Sequence, residues 1–291
     1  MFYDFMIKIL ADSGATKTDW FVCSENGWKI LSTDGINAST MDIESIGKVV
    51  DSFADQLGAI DAGKIELIRF FGAGLVGAET SGRVEKELRR RLGDCHICFE
   101  SDLEAASQAL FPQRSGEYVA AILGTGSNSC LYRDGIPVRN IRPGGFIIGD
   151  EGSGAVLGKL LLSDYFKGLM PETFARKIEE RFDLRYEVVV KNVYRGEAPS
   201  RYLASFAPIL MENLDNDYVR HLVESNLRSF IERVLLLYGC PRIGVAGGLA
   251  YACKDILSRL GDEYGLNFEN FVKSPVETIA GQMTTKQSNG I

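Results

Sequence analysis

Hydrophobic positions recur along this chain in short runs that end in glycine-rich or small-residue turns. Phe5, Met6, Ile7, Ile9 and Leu10 make a first run that reads as a buried strand, closed by Asp12 and then Ser13-Gly14-Ala15-Thr16-Lys17-Thr18-Asp19. Asp19 to Cys23 and Lys29 to Ser32 follow, with Asn26-Gly27 as a hairpin signal between them. Connections this short leave no room for helices, so the three strands are predicted to be antiparallel. From Met41, residues Ile43, Ile46, Val49, Val50, Phe53 and Leu57 recur at the three- and four-residue spacing of an amphipathic helix. Ile65 to Phe71 is a strand, Ser81 to Leu92 a helical pattern, Cys95 to Phe99 a further strand, and Leu103 to Leu110 a helix.

The segment Phe111-Pro112-Gln113-Arg114-Ser115-Gly116 breaks the pattern, after which the same order of elements restarts. Tyr118 to Leu123 is a strand, Gly124 to Ser129 a glycine hairpin, and Cys130 to Tyr132 and Ile136 to Arg142 are further strands. A helix is predicted from about Ser153 to Leu169, and 171–238 reads as helical, with Val188-Val189-Val190 ambiguous because β-branched residues favour strands. Arg242 to Ala246 is the last core strand, Ala250 to Leu260 a helix, Tyr264 to Phe268 a short strand, and Ser274-Pro275 opens a closing helix. The expectation is therefore an α/β protein of two domains, 1–114 and 115–291, the second carrying a helical insertion.

Charge narrows the partners. The net charge of −7 argues against a general nucleic-acid binder, whose affinity rests on Lys and Arg neutralising phosphates. Arg89-Arg90-Arg91 lies in a helical pattern with Glu85 and Glu87 and reads as a solvated face. No apolar stretch reaches the roughly 18 residues that span a bilayer, and the apolar start carries Asp4 and lacks a basic leader, so no membrane partner and a cytoplasmic location are expected. The six cysteines have no framework spacing and are expected as free thiols; Cys95-His96-Ile97-Cys98 reads as packed strand in preference to a metal or redox site.

The chemistry gathers at the turns. A carboxylate such as Asp12, at a strand end before a small-residue turn, suits a hydrated Mg²⁺ facing phosphate oxygens; the alternative is a hairpin that needs small residues only for its tip. Gly72 to Gly77 is a literal G-x-G-x-x-G after a strand, with Glu100 about where a dinucleotide's ribose partner falls. Ser101-Asp102 precedes a helix, so either residue suits an N-cap. Asn37, in the loop Asp34-Gly35-Ile36-Asn37, offers both a donor and an acceptor. Hydroxyls alternate at Thr125, Ser127 and Ser129, and Asp150 and Glu151 sit between glycines ahead of a helix. No Walker A motif occurs.

Three strand-to-glycine-turn junctions ask for a common ligand. Taken with DSGATKTDW at 12–20, GIN at 35–37, SDLEAA at 101–106, LGTGSNS at 123–129, GDEGSG at 149–154 and GVAGGLA at 244–250, the chain resembles the sugar kinase, Hsp70 and actin-like ATPase superfamily. The resemblance is nearer to N-acetylglucosamine kinases and BadF/BadG-type ATPases, and the motifs cover most of the chain in the family's order. It implies two ribonuclease H-like domains with a cleft between them, and ATP with Mg²⁺ as cofactors. It implies that Asp12, Gly14, Thr16, Lys17 and Thr18, together with Gly124, Thr125, Gly126 and Ser127, hold phosphates and metal, and that Gly247 and Gly248 hold adenosine. Asp102 would be the general base, and Asn37, Gly74, Asp102, Asn128, Asp150 and Glu151 would contact a small sugar, N-acetylglucosamine first. The C-terminal helix is expected to pack back on the first domain, and a homodimer is left open. The rival within the resemblance is an ATPase driving electron transfer from a shared iron–sulfur cluster, for which Cys130 is the candidate ligand. A non-catalytic sugar or nucleotide sensor is the rival from another class.

Overall fold

The computed structural model describes residues 6–14, 17–24, 27–39, 41–58, 64–72, 75 and 77–288, with side chains to 283. Thr16 and Gly74, two of the expected ligand contacts, lie outside the described residues. The chain divides into two compact units. Unit 1 is Met1–Ala109 with Pro275–Ile291, and unit 2 is Leu110–Ser274.

Unit 1 is built on strands β1 (Ile7–Ser13), β2 (Lys17–Ser24), β3 (Gly27–Asp34), β4 (Ile65–Gly72) and β5 (His96–Glu100), in the order β3-β2-β1-β4-β5. β1 pairs antiparallel with β2 and parallel with β4. It is the central strand, and its near-continuous apolar run is what burial on both faces requires. Helices α1 (Ile43–Leu57) and α2 (Ala78–Leu92) cover the sheet, and α3 (Asp102–Leu110) leaves the end of β5. α1 starts at Asp42, whose carboxylate accepts the Ser45 N–H at 2.8 Å, and its buried stripe is the one the spacing predicts. Trp20, wholly buried, stacks on Phe53 of α1 with ring centroids 4.0 Å apart.

The three arginines near the end of α2 form ion pairs: Arg89 with Glu85 and Asp94, Arg90 with Glu87 and Asp51, Arg91 with Asp51 and Asp55. They lace α2 to α1 and to the chain after it, which gives the basic run a structural use.

Unit 2 repeats the plan. Strands β6 (Glu117–Leu123), β7 (Ser127–Arg133) and β8 (Ile136–Asn140) are antiparallel neighbours, while β9 (Arg242–Ala246) and β10 (Asn267–Val272) add in parallel, giving β10-β9-β6-β7-β8. Every pairing sense matches that of β5-β4-β1-β2-β3, so the two sheets are copies of one topology, the ribonuclease H-like sheet the resemblance implied. Between β8 and β9 the chain forms α4 (Gly145–Ile148), α5 (Gly154–Phe166), α6 (Glu172–Glu179), α7 (Tyr186–Tyr194), α8 (Pro199–Ala204), α9 (Ala207–Met211) and α10 (Asp217–Phe230). α10 runs on through a π turn at Ile231–Leu235 and a 3₁₀ turn at Leu236–Tyr238. Helices α11 (Gly248–Ala252) and α12 (Lys254–Tyr264) separate β9 from β10.

Val188 to Val190 fall inside α7, since a single segment among helices has no sheet edge to join and packs through Val189 instead. The last strand begins three residues later than its apolar run suggests, because α12 extends to Tyr264. The chain then returns to unit 1, where α13 (Pro275–Ser288) packs on β1, β2 and β3 with Val276, Ile279 and Ala280 buried.

No helix among the described residues is long and apolar enough to cross a membrane.

Candidate functional site

In unit 1 the chemistry sits at the ends of β1, β2 and β5. The β1–β2 turn closes with the Gly14 N–H donating to Lys17 O at 2.9 Å. Asp12 faces Asp19 in the ladder. Asp19 is engaged: Lys17 Nζ lies 2.9 Å from its Oδ2 and Ser32 Oγ donates to its Oδ1 at 2.6 Å. Among the described residues Asp12 has no such pair. Desolvation by burial, then the charges of Asp19 and Asp102, push its carboxyl up to about 6, with Lys17 only partly opposing them. Negative charge gathered at a strand end with incomplete compensation is a setting that a divalent cation relieves. Among the described residues no cluster of three or more His, Cys, Asp or Glu is arranged to hold a metal by itself. One or two carboxylates with retained water is the arrangement Mg²⁺ prefers, and Asp12 fits that limited role.

Ser101 and Asp102 divide the work at the start of α3. Ser101 is the cap, its Oγ accepting the Glu104 N–H at 3.1 Å and its carbonyl accepting the N–H groups of Glu104 and Ala105. That leaves the Asp102 carboxylate out of the capping role, with Oδ1 accepting the adjacent Leu103 N–H at 2.9 Å and the carboxylate also meeting its own backbone N–H. Burial raises the Asp102 carboxyl above the ordinary range, against the lowering effect of that hydrogen bond. A partly buried carboxylate with a raised proton affinity, oriented by neighbouring backbone donors, is suited to taking a proton from a hydroxyl.

Several expected contacts have other employment. Thr18 is wholly buried and shares a 2.8 Å hydrogen bond with Ser13 Oγ, so its hydroxyl is engaged within the hairpin. Ser13, absent from the expected set, also donates to Ile36 O at 3.0 Å and accepts the Ile36 N–H at 3.2 Å. It thereby joins the β1 end to the loop carrying Asn37. A buried hydroxyl beside a turn was the sequence signal for it. Asn37 Oδ1 accepts the Ser39 N–H at 3.0 Å, which spends that acceptor on the turn. Arg83 holds the same loop from α2, donating through Nη1 to Met41 O at 2.9 Å and through Nη2 to Ala38 O.

Glu100 is gripped by Arg69, with Nε donating to Oε1 at 2.8 Å and Nη2 to Oε2 at 2.9 Å, so it is no ribose ligand. The antiparallel β1-β2-β3 unit also departs from a dinucleotide-binding sheet. Of the G-x-G-x-x-G, Gly72 ends β4 and Gly77 precedes α2, while 73, 74 and 76 lie outside the described residues. Cys95 and Cys98 are free thiols, and Cys98 Sγ lies 3.1 Å from His96 Nε2.

In unit 2 the β6–β7 hairpin and the turn after β9 come together. Gly247 has φ +111°, and a Cβ there would fall 2.3 Å from Leu123 O, so only glycine lets the β9 end lie against the β6 end. Beside it is a cavity of about 340 Å³ lined by Gly124, Thr125, Gly154, Ala204, Ala207, Pro208, Met211, Gly248 and Leu249. Its size and largely apolar wall suit a nucleoside. Of these, Gly248 was expected at the adenosine, and Gly124 and Thr125 at the phosphates. Ala204, Ala207, Pro208 and Met211 were not, because a wall drawn from two short helices of the insertion has no motif.

Asp150 lies against the same hairpin. Its carboxylate accepts the backbone N–H groups of Ser127 and Gly145, and it stands where a Cβ on Gly126 would meet Oδ2 at 3.0 Å. Burial raises its carboxyl, chiefly opposed by the Ser127 N–H. Its φ of +57° is a left-handed conformation costing about 1–2 kcal/mol outside glycine. Glu151 pairs with Arg233, Oε1 to Nε at 2.7 Å, and Asn128 Oδ1 accepts from Ser129 N and Asn140 Nδ2 at 2.9 and 3.0 Å. Both side chains are thus occupied within unit 2. Ser129 lies on Tyr238, its Oγ 2.9 Å from the phenol oxygen, so the third hairpin hydroxyl is structural. Cys130 is buried in β7, a poor place for a cluster ligand.

No protein-family model matches the chain, and no curated protein matches it. Among solved structures it is similar to a candidate N-acetylglucosamine kinase from Porphyromonas gingivalis, with 33% identity over 96% of this chain and 99% of that one and a TM-score of 0.88. A candidate N-acetylglucosamine kinase from Chromobacterium violaceum shares the fold at 20% identity, 95% and 98% coverage and a TM-score of 0.71. So does a ROK family glucokinase from Streptomyces griseus in complex with glucose and AMPPNP, at 12% identity, 96% and 98% coverage and a TM-score of 0.54. With a third of its residues identical over nearly the full length of both chains, this protein belongs to the family of the Porphyromonas gingivalis candidate kinase, within the sugar kinase and actin-like ATPase superfamily.

Proposed function

We propose that this protein is an ATP-dependent sugar kinase that phosphorylates a hydroxyl of an amino sugar, N-acetylglucosamine first. The observation that carries the reading is the release of Asp102 from capping by Ser101, which leaves a carboxylate with raised proton affinity near the undercompensated Asp12. Asp102 accepts the proton of the attacking hydroxyl, with Oδ1 steadied by the Leu103 N–H. Asp12 would hold the metal, and Mg²⁺ when bound would supply positive charge for phosphoryl transfer. Ser13 couples the hairpin to the Asn37 loop. In unit 2 the cavity beside Gly124 and Gly248 takes the nucleoside, and Asp150 braces the second hairpin through Ser127. The reading requires both units, since the carboxylates belong to one and the nucleoside cavity to the other. Phosphoryl transfer asks little covalent chemistry of a protein, so positioning and charge supply most of the rate.

Sugar choice rests on the family likeness and on Asn37, whose Nδ2 suits an acetamide or hydroxyl oxygen. A coupled ADP-release assay with Mg²⁺-ATP and a panel of hexoses and N-acetylhexosamines, run beside Asp102→Asn, tests the proposal. Turnover dependent on N-acetylglucosamine or a close relative, and collapsing in the variant, supports it. Hydrolysis indifferent to sugar, or equal turnover in the variant, sinks it.

A further inference from the structure

Asp102 stands between two residues that answer to one cation. Glu100 ends β5, and Gln108 lies well inside α3. Arg69 of β4 reaches both: besides its two bonds to Glu100, Nη2 donates to Gln108 Oε1 at 2.7 Å. Gln108 Nε2 donates in turn to Glu100 Oε2 at 2.7 Å and Glu104 Oε1 at 3.0 Å. The guanidinium also lies over Phe71, its carbon 4.8 Å from the centre of the ring. Arg69 and Glu100 are each only 20% exposed, so the pair is little screened by water.

This network is more than the sheet requires. β4 and β5 are already paired from Leu67/His96 to Phe71/Glu100 by their ladder, so Arg69 is not needed to join them. What the ladder cannot fix is the direction in which the chain leaves β5. The hold on Gln108 ties the body of α3 to β4, and the bidentate hold on Glu100 fixes the residue two before Asp102. It also neutralises Glu100, which shares Gln108 Nε2 with Glu104.

We propose that Arg69 is a positioning residue for the phosphoryl-transfer base: by clasping Glu100 and Gln108 it sets the departure of α3 from β5 and so the place of the Asp102 carboxylate. The inference rests on the kinase reading. Displacing a proton acceptor by about 1 Å is enough to cost on the order of 100-fold in rate, so the effect belongs in kcat.

The test is steady-state kinetics with ATP and N-acetylglucosamine on Arg69→Gln, Arg69→Lys and Gln108→Leu, and on Arg69→Gln combined with Asp102→Asn. Arg69→Gln is expected to lower kcat by about 10- to 100-fold with little change in the KM for ATP. Arg69→Lys, which keeps the charge but not the fork, restores part of the loss. In the Asp102→Asn background Arg69→Gln adds nothing, because a residue acting through Asp102 has no target once the carboxylate is gone. Unchanged kcat in Arg69→Gln, or an equal fold-loss with and without the Asp102 carboxylate, overturns the inference alone. Gln108→Leu keeps the Arg69–Glu100 ion pair and removes the hydrogen bonds of Gln108 to Arg69, Glu100 and Glu104 that hold α3, so it decides the matter if Arg69→Gln does not fold; wild-type kcat there counts against the proposal. Undiminished turnover in Asp102→Asn overturns the kinase reading, and the inference with it.

Discussion

Asp12 and Asp19 stand opposite each other across the β1–β2 ladder, and it is Asp19 that holds Lys17, Oδ2 to Nζ at 2.9 Å. The asymmetry turns two like residues into a satisfied surface pair and a carboxylate whose charge is answered only at a distance. It also gives the site its pH dependence.

With its carboxyl pushed up to about 6 from an ordinary 3.8, Asp12 keeps its proton longer in the folded protein than in the unfolded chain. The folded state therefore loses stability as pH rises from about 4 to 6 and stays at the lower level above that window. Asp12→Asn removes the penalty. In EDTA the variant is expected to melt above the wild type at pH 8, by about 2–4 °C per ~1 kcal/mol relieved, with the gap closing below pH 4. Calorimetry across that range is the measurement, and added Mg²⁺ should raise the melting temperature of the wild type alone.

The Asp102 prediction runs through activity. Its raised carboxyl must be unprotonated to serve as base, so kcat/KM falls as pH drops through a value above the ordinary 3.8. Asp102→Asn is expected to lose about 10²- to 10⁴-fold in kcat, to lack that acid limb in any residual rate, and to bind ADP as the wild type does. A pH–rate profile with equilibrium ADP binding separates the base from a general defect.

Gly247 is a position where one methyl group is decisive. Gly247→Ala would place Cβ 2.3 Å from Leu123 O at a φ of +111°. The strained backbone alone costs about 1–3 kcal/mol, and the clash forces β9 away from β6. A lower melting temperature together with lost nucleotide binding is the expected result; an unperturbed variant would mean that the approach of the two strand ends is not needed.

The apolar wall beside the second hairpin can be filled without touching a hairpin residue. Met211→Trp puts an indole into the 340 Å³ cavity and is expected to weaken ADP binding at least about 10-fold. Calorimetric titration with ADP reads this directly, and unchanged affinity would place the nucleoside elsewhere.

Much of the chain was legible because its signals are local. The spacing of Ile46, Val50, Phe53 and Leu57 belongs to a helix whatever it packs on, and the repeat of strand, small-residue turn and strand marks the duplicated sheet. The family likeness joined these into a fold, and the matching pairing senses of the two sheets agree with it. Side-chain employment was less legible. Thr18 and Ser129 carry hydroxyls in phosphate-type turns, yet one is spent on Ser13 and the other on Tyr238, 109 residues away. Glu151 looks like a ligand beside Asp150 until Arg233, 82 residues on, takes it. Glu100 was open to two readings until Arg69 closed on it.

The sequence by itself therefore determined most of the strands and helices and the positions where carboxylates end strands, since periodicity and backbone sterics act within a few residues. Only the tertiary structure decided that Ser101 caps α3 and frees Asp102, that Lys17 pairs with Asp19 and not with Asp12, and that Ala204, Ala207, Pro208 and Met211 wall a cavity. The reason is that a polar group's role is set by whichever donor, charge or apolar surface reaches it first, and here those partners come from distant parts of the chain.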